Sequence, residues 1–186
     1  IAHFLSGALS ADYSDAAGAG LIDYRLRNYR RELMALYAIE DALALLPPLR
    51  ESCEVVGQVT KQASRLTGLP AGIPVVAGIF DVVASAVGSG VVETGQASIV
   101  AGTWSINQVV VDKPDYLRPV FMNSIIEKDR FMAIEASATS AANLDWFLRE
   151  FDDGRSGQGA ARSSDTVAHV DPNAQLPLYH PYLYSG

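Results

Sequence analysis

Cysteine is nearly absent: Cys53 stands alone among 186 residues. No internal disulfide can form, and nothing ties the fold to an oxidising compartment. Cys53 reads as a small packed residue rather than a nucleophile. Histidine is also scarce. His3, His169 and His180 lie too far apart for the short spacings of a zinc site, so no bound metal is predicted. Basic residues number 14 against 21 acidic ones, a net charge of −7. No Lys/Arg run or stripe offsets that balance, which argues against a nucleic-acid surface. No apolar stretch is long and uniform enough to span a bilayer. The opening Ile1-Ala2-His3-Phe4-Leu5 has neither the basic start nor the cleavage pattern of a secretory signal. A cytoplasmic protein is therefore expected. No Gly-rich loop ends in Lys-Ser/Thr, which excludes P-loop chemistry. An initiator methionine is lacking and the chain stops at Ser185-Gly186, as expected of a piece of a longer protein.

Apolar residues are plentiful, at 49%, which is ample for a packed core. The chain divides by pattern. The segment 10–20 is small and turn-rich and leads into a short strand at 21–24. Helical spacing of Leu33, Leu36 and Tyr37 predicts a helix over 29–38. A second short helix over 40–45 ends at Pro47-Pro48. A strand is predicted at 54–59. A helix follows over 60–67, with Gly68 as its C-cap. The apolar run 73–79 predicts a buried strand, and 81–88 a helix of small residues. After a connection near Val91–Gly95, strands are predicted at 96–101 and 105–111, then 121–126 and 130–135. A loop is predicted at 114–119. A helix with an alanine-rich face is predicted over 137–150. The stretch 154–160 reads as weakly structured and 176–184 as extended. The alternation predicts a mixed α/β architecture in two lobes, with the boundary near residue 90.

Two features carry candidate chemistry. Asp81 stands between the run Gly72–Phe80 and a helix. A carboxylate there needs a task or a partner, and the end of a strand is where open α/β sheets bind ligands. An aspartate so placed can accept the proton of an attacking alcohol. An N-cap role is the alternative, and the two are compatible. Second, Gly102-Thr103-Trp104-Ser105 forms a turn inside another apolar run. Its backbone N–H groups and hydroxyl suit a phosphate oxygen. Such turns are also common in plain hairpins. The cluster Asp12, Ser14 and Asp15 reads chiefly as a turn bonded to its own backbone, with a sugar or metal contact as the alternative. Tyr13, Tyr24, Tyr29 and Tyr37 suggest packing rather than base stacking.

Several segments in order carry a resemblance: Asp12-Tyr13-Ser14-Asp15-Ala16, Leu46-Pro47-Pro48-Leu49, Thr67 through Gly78, Asp81, Gly102-Thr103-Trp104-Ser105, and Ile134-Glu135-Ala136-Ser137 running into Leu144-Asp145-Trp146. Together they resemble the middle of an FGGY-type carbohydrate kinase, the group that includes xylulose, ribulose, glycerol and erythritol kinases. The resemblance covers nearly the whole chain, except the Gly-rich stretch after Asp153. It implies an α/β fold with ribonuclease-H-like lobes of the actin and hexokinase type, incomplete here. Residues 1–90 would belong to the C-terminal part of the first, sugar-binding lobe, and 91–186 to the N-terminal part of the second, nucleotide-binding lobe. In that family a catalytic cleft lies between the lobes. Asp81 matches the family's general base. Gly102 and Thr103, with Trp104 beside them, match its phosphate-binding turn. Ala141, Ala142 and Asp145 match a region flanking the nucleotide.

The implied activity is ATP-dependent phosphorylation of a sugar, keto-sugar or polyol hydroxyl, with Mg²⁺ accompanying ATP. The sequence around Asp81 looks closer to L-xylulose and related kinases than to glycerol kinases, which usually carry glutamines after the aspartate. The partner implied is a small sugar or polyol, with no nucleic acid and no membrane; a homodimer is compatible. The family's first phosphate loop with its magnesium-associated aspartate has no counterpart here. Nor do its N-terminal sugar-binding segments and its Gly-rich adenosine site. The segment alone is therefore expected to be weak or inactive. A non-catalytic sugar- or nucleotide-binding or regulatory protein of the same superfamily is the alternative.

Overall fold

The computed structural model describes residues 1–114, 120–138, 140–151, 159–171 and 173–175. By contacts the chain divides into two units: Ile1–Ser98 with Gln108–Ile134, and Ile99–Asn107 with Glu135–Gly186.

The first unit opens with helix α1 (Ala2–Ser6), strand β1 (Ala11–Asp12) and helix α2 (Tyr13–Gly18). Helix α2 falls where a turn-rich segment is expected from composition. Asp12 explains it: its carboxylate accepts from the Ser14 and Asp15 N–H groups and so caps the helix. Ala16 and Ala17 then pack into the core. Strands β2 (Ile22–Asp23) and β3 (Asn28–Tyr29) form a two-residue antiparallel pair. Helix α3 (Arg31–Ala35) is shorter than the predicted helix, because Tyr29 belongs to β3 and residues 36–38 form a turn in which Ala38 has φ 56°. Glu40–Leu45 is a 3-10 helix. Strand β4 (Leu49–Arg50) pairs in parallel with β1.

Strand β5 (Val55–Gln58) and helix α4 (Lys61–Thr67) lie as expected. The Thr60 hydroxyl caps α4 by accepting from the Ala63 N–H at 3.1 Å, and Gly68 ends it at φ 79°. Thr60→Ala is expected to cost about 1 kcal/mol. A urea midpoint that falls at unchanged slope checks this.

Strand β6 (Pro74–Val76) corrects the predicted buried strand. It is three residues long, pairs antiparallel with β5, and buries only Val75. Gly72 and Gly78 flank the run at φ 90° and 104°, so the backbone turns out of extended geometry at both ends. Asp81 therefore begins a helix several residues beyond a short, half-exposed strand. That helix, α5 (Asp81–Gly88), buries Val83 and Ala86.

The main sheet comprises β7 (Ala97–Ala101), β8 (Ser105–Val111), β9 (Met122–Glu127) and β10 (Arg130–Ser137), in the order β7-β8-β10-β9. Phe131 faces Ile125 across the β9–β10 pairing. Ile125 and Phe131 meet Ala16, Ala17 and Ile22 in the core of the first unit, and Tyr13, Tyr24 and Tyr29 close over it. These three tyrosines thus pack, as predicted, and the Tyr24 hydroxyl donates to the Asn123 carbonyl at 2.6 Å; Tyr37, expected to pack with them, is instead exposed. Cys53 is exposed, contrary to the packed role expected for it: it lies in the tight link between β4 and β5, where Glu54 N–H closes on the Glu51 carbonyl.

The second unit contains helix α6 (Ala141–Phe151) and helix α7 (Gly159–Ala168). Helix α6 starts four residues later than predicted because β10 continues to Ser137. Helix α7 begins inside the stretch read as weakly structured. Residues 154–158 of that stretch, residues 115–119 of the predicted loop and the extended segment at 176–184 lie outside the described residues. No helix among the described residues is long and apolar enough to cross a membrane.

Candidate functional site

In the first unit, Asp81 is the first residue of α5 and is exposed. Phe80, not Asp81, occupies the N-cap position, and no side chain caps this helix. The cap reading of Asp81 is therefore corrected. Its Oδ1 accepts only from the neighbouring Val82 N–H, at 2.7 Å, and no other hydrogen bond among the described residues engages the carboxylate. The second oxygen remains open to a ligand, beside the positive end of the helix.

Two further carboxylates stand near. Asp12 caps α2, and its Oδ1 also takes the Ser14 hydroxyl proton. The Asp15 carboxyl is held above its ordinary range by partial burial first, then by the charges of Asp12 and Asp81. A raised acid binds its proton more tightly folded than unfolded. Its charge thus costs stability at neutral pH, and that cost fades as pH falls through the folded value and then the unfolded one. Asp15→Asn is expected to raise Tm slightly at pH 7, with the gain closing as the solution is acidified. Equal gains at neutral and acid pH would contradict the cause given. Among the described residues no group of three or more His, Cys, Asp or Glu gathers as a metal cage. A Mg²⁺ held chiefly by nucleotide phosphates and water needs only one or two carboxylates, so such a cage is not required of these residues.

In the second unit, the turn Gly102-Thr103-Trp104 joins β7 to β8. Its partner is the start of α6: the Ala141 N–H donates to the Gly102 carbonyl at 3.0 Å and the Ser140 N–H to the Thr103 carbonyl at 3.2 Å. An open pocket of about 560 Å³ lies there, lined by Thr103, Trp104, Ala138, Ala141, Ala142 and Asp145. Five of the predicted nucleotide residues thus share one pocket, and Gly102 is bonded to its wall. One expectation changes. The Gly102 N–H donates to the Trp104 carbonyl at 3.1 Å, so it is not offered to a ligand. The Thr103 N–H, the Trp104 N–H and the Thr103 hydroxyl have no hydrogen bond among the described residues. Gly102 has no positive φ, and a Cβ there would meet only the Trp104 carbonyl oxygen at 3.4 Å. Conformation alone does not demand glycine there. Asp145 is exposed and pairs with Arg149 at 3.3 Å. As an acceptor-only group it suits hydroxyls rather than phosphate oxygens.

Ser14 stands out in the sequence only as a member of the polar cluster with Asp12 and Asp15, and nothing there ties it to Asp81. It bonds a residue 66 positions away, the Phe80 N–H, at 2.7 Å. Its local signal, an Asp two residues before it, points only to the cap.

Residues 1–88 match the family model described as FGGY family of carbohydrate kinases, N-terminal domain. A probable L-xylulose kinase of Pasteurella multocida is 32% identical over 98% of this chain and 37% of that relative. An autoinducer-2 kinase of Escherichia coli is 38% identical over 81% of this chain and 28% of its own length. Among solved structures, the xylulose kinase of Rhodospirillum rubrum matches with a TM-score of 0.86 at 24% identity, over 98% of this chain and 37% of that one. That likeness shows the fold: mixed α/β lobes of the actin and hexokinase type, in part. The chain spans 37% of the L-xylulose kinase and xylulose kinase relatives and 28% of the autoinducer-2 kinase.

Proposed function

The chain belongs to the FGGY family of carbohydrate kinases, and on that premise we propose that the complete protein phosphorylates a hydroxyl of a keto-sugar or polyol at the expense of ATP, with Asp81 as general base. The observation that carries this reading is an exposed, nearly unpartnered carboxylate at the start of α5, in the segment that matches the family. The substrate hydroxyl loses its proton to Asp81 as its oxygen bonds the γ-phosphorus. The bond from that phosphorus to the β–γ bridging oxygen breaks, and ADP leaves. Thr103, through its hydroxyl and N–H, and the Trp104 N–H hold nucleotide phosphate oxygens. Asp145 accepts from nucleotide hydroxyls, and Ala141 and Ala142 leave room for the nucleotide. Mg²⁺, carried in with ATP rather than caged by these residues, would neutralise phosphate charge.

The first lobe is taken to end near residue 90. The named activities of the relatives point to L-xylulose first among sugars. A cytoplasmic site of action, where ATP is held, belongs to the same proposal. The non-catalytic alternative has no observation in its favour. ADP release by the full-length protein, assayed with L-xylulose, D-xylulose, glycerol and no acceptor, tests the reading. Release that requires a ketopentose supports it. Release equal with and without every acceptor contradicts it.

A further inference from the structure

We propose that Ser14 is a positioning residue for Asp81: its hydroxyl supplies, from another helix, the cap that α5 lacks. The inference rests on the reading of Asp81 as the base. Helix α5 has no side-chain cap. Phe80, just before it, sends its N–H to Ser14 Oγ at 2.7 Å. Ser14 is wholly buried. Its own proton goes to Asp12 Oδ1, the same oxygen that caps α2. One hydroxyl thus donates to a carboxylate and accepts from the N–H at the root of Asp81. The donated proton polarises the oxygen in the sense that strengthens the bond it accepts.

Ser14 is itself held in place. Its carbonyl accepts from the Ser124 hydroxyl of β9 at 2.9 Å. One turn further along α2, Gly18 leaves space for the Phe80 ring. A Cβ at Gly18 would lie 3.3 Å from that ring and 3.7 Å from the Met122 sulfur. Helix α2 therefore seats both the backbone and the side chain of Phe80. Because Phe80 and Asp81 share a peptide unit, rotation at Phe80 swings the carboxylate. An alanine at position 14 can neither accept from the Phe80 N–H nor donate to Asp12. A misplacement near 1 Å can lower a rate about a hundredfold.

The test compares Ser14→Ala, Ser14→Thr and Asp81→Asn in the full-length kinase, reading kcat, both KM values and amide hydrogen exchange. Ser14→Ala is expected to lower kcat about ten- to a hundredfold while KM for sugar and for ATP changes by less than about twofold. The Phe80 and Val82 amides should exchange faster and those of α4 should not. Ser14→Thr, which keeps the hydroxyl, should recover most of the rate. A kcat within about twofold of the parent with the Phe80 amide unchanged would overturn the proposal. So would a general loss of protection in which kcat and KM fail together, because that assigns Ser14 to folding alone. Should Ser14→Ala not fold, Phe80→Pro removes the other end of the same bond at a φ of −54° that proline accepts. Judged against Phe80→Leu, it should show the same kcat loss, and equal rates would overturn the proposal. If Asp81→Asn turns over normally, the base reading falls. The exchange of the Phe80 amide in Ser14→Ala still decides whether the hydroxyl holds the start of α5.

Discussion

Thr103→Val in the full-length protein is expected to weaken ATP binding about ten- to a hundredfold, the scale of a hydrogen bond to a charged group. Valine keeps the β-branched shape and removes only the hydroxyl. That hydroxyl makes no bond among the described residues, and Thr103 is exposed in the turn between β7 and β8. Fold stability should therefore be nearly unchanged, which separates a ligand effect from a folding effect. The KM for sugar should hold while the KM for ATP rises. The remaining donors, the Thr103 and Trp104 N–H groups, survive the substitution, so binding is reduced rather than abolished. Trp104, 51% exposed beside the same pocket, provides a fluorescence signal for the titration. An unchanged ATP affinity would remove Thr103 from the phosphate turn.

Local chemistry was legible wherever the chain carried its own punctuation. Thr60 and Gly68 bracket α4, and the structure places the helix between them. The hairpin strands on either side of Gly102-Thr103-Trp104 and of Lys128-Asp129 fall where alternation and turn residues put them. Helix α5 spans the residues expected of it. What was not legible depends on distant partners. Helix α2 reads as a turn because its residues are small and polar, and the packing of Ala16 and Ala17 with Ile125 and Phe131 adds to the Asp12 cap to make a helix there. The apolar run before Asp81 looked like a buried strand, but β-branched composition does not say how many neighbours a strand has. With β5 as its neighbour, most of β6 stays open.

The candidate site divides the same way. Asp81 and the Gly-Thr turn could be singled out from residue type and position, and their company could not. That Gly102 spends its N–H on Trp104, and that Thr103 meets the start of α6, are facts of folded backbone. The Ser14 bond to Phe80 joins two segments with no sequence signal in common.

Asp81→Asn carries the largest expected effect. Asparagine keeps the size of the side chain and its bond from the Val82 N–H, since the amide oxygen can take the place of Oδ1. It lacks the negative charge and cannot accept a proton at neutral pH. Helix α5 does not rely on this side chain as its cap, so stability should change little. Loss of a general base costs about two to four orders of magnitude in turnover, whereas the ATP contacts proposed for the second unit would be untouched. The decisive measurement is γ-phosphoryl transfer by full-length Asp81→Asn under saturating ATP and sugar, with nucleotide affinity measured on the same preparation. A turnover lowered by about a hundredfold or more at unaltered ATP affinity is the predicted result. Turnover close to that of the parent protein would contradict the role of Asp81 outright.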